Sequence, residues 1–235
     1  MHTPTTAPQD FQNRHSLNWE RWALLSGIGF SLLQIALMVF VAIYVLPLFI
    51  SHEAPVANQR AGYLQHGELL RFTNFLLTLP APIFLFFLGG LYSAVLRIAP
   101  RNAVLAIIII TAGTAMAMLW PLGAVLNSIS IDIARNSGDM ATVVAMDALP
   151  PYLLALGALP RVVLLLATSL AFRSEGSLPR WLPILGFLLA IVSLTGSATL
   201  FVSEMFPVLA LGTVLFHMWL IALCMALLKG QAQSL

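Results

Sequence analysis

The chain has 235 residues, of which 60% are hydrophobic and 9% charged, and its mean hydropathy is +0.93. A water-soluble domain carries about 25% charged residues, so most of this surface faces lipid. The net charge of +2 comes from arginines near the ends of apolar runs, which argues against nucleic acid as a partner, and the single cysteine, Cys224, excludes an internal disulfide and a cysteine metal cluster.

Residues 1–20 are polar, include Pro4 and Pro8, and hold no apolar core of signal-peptide length. They read as a disordered cytoplasmic tail ahead of a six-span membrane domain over 21–229, with a short cytoplasmic tail at 230–235. A helix needs about 20 largely apolar residues to cross a bilayer, and six runs qualify: 22–50, 69–96, 103–126, 151–172, 181–202 and 206–228. The first two are long enough to tilt or project. Pro80 and Pro82 should kink the second, with Thr78 available to bond a freed carbonyl.

The fold expected is therefore all-α, a bundle of six transmembrane helices. Its orientation follows from the basic residues. With the N-terminus inside, the inner segments hold Arg14, Arg21, Arg97, Arg101, Arg173, Arg180 and Lys229, against Arg60, Arg71 and Arg135 outside. That asymmetry puts both termini in the cytoplasm, and the expected location is a bacterial inner membrane. Trp22 and Trp181 then sit at the inner interface. The inner connections are short and force antiparallel neighbours. The outer ones are longer, and residues 140–149 read as a short surface helix before Pro150 and Pro151 start the fourth span.

Arg161 sets the functional question, because it stands inside the fourth span, where a charged side chain costs roughly 2.5–3.5 kcal/mol or more to insert. It lies twelve residues from Arg173, His217 lies twelve from Lys229, and Gln34 lies thirteen from Arg21. At about 1.5 Å per residue the three share one level, and Thr111, Thr114, Ser193 and Thr195 fall close to it. In one reading Arg161 binds an anionic small molecule or lipid headgroup, with His217 and Gln34 supplying hydrogen bonds or a titratable proton. In the other the polar groups satisfy each other and the carbonyls freed near Pro160, and the layer only fixes helix packing.

A second cluster marks the outer mouth. Glu68, Arg71 and Asn74 share a helix face at i, i+3 and i+6, with Asp147 before the fourth span and Glu204 after the fifth. The acids there could draw in a cation or pair with Arg71 and Arg60. His52, Glu53, His66 and Glu68 are metal-ligand types, but their spacing matches no metal motif. The sequence has no glycine-rich phosphate loop, nucleophile elbow or HExxH. His217 is the sole histidine within a span, so bis-histidine haem ligation is not supported, and no cofactor is expected. Gly89, Gly90, Gly113, Gly186, Gly196 and Gly212 read as close-approach points between helices. Met116 and Met118 point to different faces and read as packing.

The stretch 173–186, RSEGSLPRWLPILG, resembles the short inner loop and helix entry of a bacterial membrane family known only as domain of unknown function four-three-eight-six. The run Glu68-Leu-Leu-Arg71 leading into the second span, and the six-span order, are similar as well. The resemblance implies the fold and location already given and brings no activity with it; Arg161 and Pro150–Pro151 fall outside the matching stretches. Together these features suggest binding or transport through a polar layer centred on Arg161. Two alternatives accompany it. One is a non-catalytic accessory or scaffold subunit, as a homo-oligomer or beside a partner subunit. The other is a membrane enzyme acting on lipid, with Glu68, Asp147, Glu204 and His66 as acid–base groups.

Overall fold

The computed structural model of the protein describes residues 7–48, 56–176 and 178–232, with side chains from Trp19 onward, apart from residues 56, 57 and 175. Eight α-helices carry the fold, and no strand occurs among the described residues. They are α1 (Ala7–Phe40), α2 (Val56–Thr78), α3 (Pro80–Ile98), α4 (Ala103–Asn136), α5 (Met140–Asp147), α6 (Leu149–Glu175), α7 (Trp181–Ser197) and α8 (Phe206–Ala232). Six helical stretches are long and apolar enough to cross a membrane: Trp19–Leu48, Asn58–Ile98, Pro100–Asn136, Met140–Ser174, Trp181–Leu200 and Ser203–Ala232. The chain is a multi-pass membrane protein of the all-α class.

The second stretch breaks where the prolines require it. Pro80 has no N–H, and Leu79 turns its own N–H to Leu76 O, three residues back, at 3.3 Å. The carbonyl of Phe75 thereby loses its helical partner, and Thr78 Oγ1 takes it at 2.7 Å. The break lets α2 and α3 go to different places. α3 packs between α1 and α4, whereas α2 lies along the half of α4 remote from the termini.

The spans close into a ring in which α1 packs on α3 and α8, α3 on α4, α4 on α6, α6 on α7 and α7 on α8. Every neighbour is antiparallel. Small residues set the spacing: a Cβ on Gly90 would lie 2.5 Å from Ala23 Cβ, and one on Gly196 would lie 2.8 Å from Leu209 Cα, so these backbones touch. The half of the ring nearest the termini is packed solid with Leu24, Phe87, Leu88, Leu91, Phe172, Leu220 and Leu223.

The tail boundaries need correction. α1 begins at Ala7, and the packed domain begins by Trp19, whose ring meets Phe86 edge-on at 5.7 Å. Glu20 is 2% exposed and accepts hydrogen bonds from Arg97 Nη2 at 2.7 Å, Ser93 Oγ at 3.2 Å and Gln231 Nε2 at 2.5 Å. Both residues assigned to tails, Glu20 and Gln231, thus join α1, α3 and α8 at the terminal end of the ring. A carboxylate so placed is stable only because its partners replace the lost water. Residues 1–6 and 233–235 of the expected tails, and His52 and Glu53, lie outside the described residues.

Candidate functional site

Pro160 interrupts the hydrogen-bond ladder of α6, and Arg161 follows it, pointing into the ring. Its side chain is 5% exposed. Nη1 donates to Thr213 Oγ1 of α8 at 2.7 Å, and the guanidinium lies over the Phe216 ring at 5.8 Å. Nε and Nη2 are buried and have no hydrogen-bond partner, and no carboxylate pairs with Arg161 among the described residues. Burying a charge with two idle donors is expensive, so the packing of the ring alone does not account for this side chain.

His217 stands one helical turn beyond Thr213 and is fully buried, with neither ring nitrogen partnered among the described residues. Aromatic rings surround it instead. Trp120 of α4 stacks on it at 5.5 Å, Phe30 of α1 lies at 5.3 Å and Phe216 at 5.4 Å. These rings meet across the middle of the bundle and plug it. Gln34 lies one turn beyond Phe30 on α1, 5% exposed, with Oε1 unpartnered; Ser31 Oγ is likewise buried and unpartnered.

Antiparallel register places α1 against α8 at matching heights. A Cβ on Gly27 would meet Cys224 Sγ at 2.8 Å, and Phe30 meets His217. Gln34 therefore comes level with Thr213 by register. Of the other groups expected at this level, Ser193 is fully buried, with Oγ unpartnered, whereas Thr111 and Thr195 are exposed on the outer surface of the ring and Thr114 is half-buried. Helical rotation, which depth alone does not specify, removes Thr111 and Thr195 from the layer.

On the side of Arg161 remote from the termini a small recess opens, about 20 Å³ in volume, lined by Met116, Trp120, Leu153, Leu154, Gly157, Arg161 and Thr213. That is room for one or two water-sized groups. Leu153, Gly157 and Arg161 form one stripe of α6 at four-residue spacing, and Met116 and Trp120 repeat the spacing on α4. Met116 is 4% exposed and Met118 67%, so the two do face apart, and Met116 belongs to the wall of the recess. Thr213 and Trp120 were not singled out from the sequence. Thr213 lies four residues before His217, and that spacing puts both on one face.

The second cluster resolves into separate contacts. Glu68 pairs with Arg135, Arg71 pairs with Asp132, and Asn74 Nδ2 donates to Asn127 Oδ1 at 2.9 Å, all three between α2 and α4. Asn127 Nδ2 donates onward to Asp147 Oδ1 at 3.0 Å, and the Tyr63 hydroxyl donates to Asp147 Oδ2. Arg60 pairs with no acid among the described residues; its Nε donates to Ala134 O at 3.2 Å. Glu204, exposed on the connection before α8, joins none of these contacts. Each acid proposed for lipid chemistry is thus held by a different partner or stands apart, and the cluster reads as the clamp that docks α2 on α4. No known family model, curated protein or solved structure matches this chain.

Proposed function

We propose that this chain is a bacterial inner-membrane protein, with both termini cytoplasmic, that binds a small anionic group or lipid headgroup at Arg161 as part of a binding or transport cycle. The observation that carries this reading is a guanidinium, 5% exposed at the floor of a recess, with two buried nitrogens left without partners. A buried charge in a bundle is functional by default, and one with free donors has the form of a site that an anion completes. The gathering of Arg21, Arg97, Arg101, Arg173, Arg180 and Lys229 at the terminal end supports the orientation. The recess would then open to the outer side. The likeness of 173–186 to the six-span family belongs to the same reading.

Thermal unfolding of delipidated protein in detergent, with acetate, formate or phosphate added, tests it. An anion held at about 100 times its Kd stabilises the folded state by about 2.7 kcal/mol. The wild type should shift upward with at least one of these anions, and Arg161→Met should not. Equal shifts in the two proteins, or none in either, would remove the site.

A further inference from the structure

An anion site at Arg161 could take several kinds of occupant, and the geometry around the guanidinium narrows them. In a guanidinium, Nη1 lies on the same side as Cδ, and the N–H bonds of Nε and Nη2 run parallel along the opposite edge. Here Nη1 is the nitrogen occupied by Thr213, and the idle pair is Nε with Nη2. The Thr213 contact therefore leaves one complete two-pronged edge unused. A planar carboxylate meets such an edge with both oxygens at once.

Charge narrows the class further. Among the described residues Arg161 is the one cation lining the recess, and Met116, Trp120, Leu153, Leu154 and Gly157 make up the rest of its wall apart from Thr213. A single guanidinium balances a monoanion. A phosphate dianion would keep a second charge in a recess whose lining supplies no second cation. The recess holds one or two water-sized groups and no more, yet Leu154 at its edge is 39% exposed, so it is not closed on that side. An apolar stem can leave there along leucine and tryptophan surface.

We propose that the occupant is a monocarboxylate on an apolar stem, held side-on by Nε and Nη2 of Arg161, with its stem running out past Trp120, Leu153 and Leu154. This rests on the anion-site reading of Arg161. The carboxylate could arrive dissolved in water or from the bilayer as a fatty acid, and both present the same head.

Calorimetric titration of the delipidated protein tests the assignment, using octanoate, acetate, octyl phosphate and octylammonium against wild type, Arg161→Lys and Arg161→Met in one detergent. The difference between wild type and Arg161→Met removes partition into the micelle. Octanoate should bind at least tenfold more tightly than acetate or octyl phosphate, and octylammonium should show no Arg161-dependent binding. Arg161→Lys keeps the charge without the edge and should lose at least tenfold for octanoate. Octyl phosphate binding as well as octanoate would overturn the carboxylate assignment, while leaving an anion site at Arg161. Acetate binding as well as octanoate would overturn the stem. Arg161→Lys binding octanoate as well as wild type would overturn the side-on contact. No Arg161-dependent heat with any anion would remove the anion site itself. With a brominated stearate in nanodiscs, tryptophan quenching that depends on Arg161 identifies the bilayer as the source; octanoate binding without such quenching identifies water.

Discussion

Thr213 Oγ1 accepts from Arg161 Nη1 at 2.7 Å and donates its own proton to Leu209 O at 2.8 Å. Because that proton is committed to the helix behind it, the hydroxyl faces the guanidinium as an acceptor, and the Nε and Nη2 edge is left without a partner. Thr213→Val keeps the shape and loses the acceptor. It should lower stability by about 0.6 kcal/mol and by no more than about 1.7, the average and maximum for hydrogen bonds between membrane helices. Thr213→Ser should recover the loss, as read by reversible unfolding in mixed micelles.

The contact between Glu20 and Arg97 makes a directional prediction. The Glu20 side chain is 3% exposed and that of Arg97 37%. Arg97→Ala strands a buried carboxylate on Ser93 and Gln231 alone, whereas Glu20→Ala leaves a cation that can reach water. Arg97→Ala should therefore be the more destabilising, by about 1–3 kcal/mol for the stranded group, and Glu20→Ala should fall below it. Equal losses, or the reverse order, in the same unfolding assay would contradict the burial given to Glu20.

Acid should loosen the start of α5 before the bundle. Asp139 caps that helix, accepting from Thr142 Oγ1 at 2.6 Å and Thr142 N at 3.3 Å, and these bonds hold its carboxyl below the usual carboxylate range. A depressed folded value means the contribution is present above the unfolded value of about 3.9 and is lost as pH falls through the lower folded value. Asp139→Asn caps without titrating. The protection of α5 amides in the wild type relative to Asp139→Asn, compared in the same buffers, should fall only in acid.

Much of this fold is legible in the sequence because a bilayer leaves the chain few choices. Apolar runs of spanning length, the break at Pro80 with Thr78 filling in, and the short helix before Pro150 all follow from backbone groups that must be satisfied locally. The ends were harder to read. Glu20 and Gln231 look like tail residues until Arg97 and Ser93, far away in the chain, are brought beside them. The candidate site was readable in depth and not in rotation: counting from the helix ends placed Arg161, His217 and Gln34 at one height, and it placed the outward-facing Thr111 and Thr195 there too. Thr213 carries no signal of its own beyond its spacing from His217. Asn127, which links Asn74 to Asp147, is equally silent, since an asparagine near a span end reads as an interfacial residue.

The most direct measurement is the unfolding free energy of ligand-free Arg161→Met against wild type in the same micelle. If Arg161 is held ready for an anion, its two idle donors destabilise the empty protein, and methionine in its place should leave stability unchanged or raise it by about 1–4 kcal/mol. A loss of about 3–5 kcal/mol, the magnitude for removing one partner of a buried pair, would show that the guanidinium serves to hold the helices together and would contradict the account.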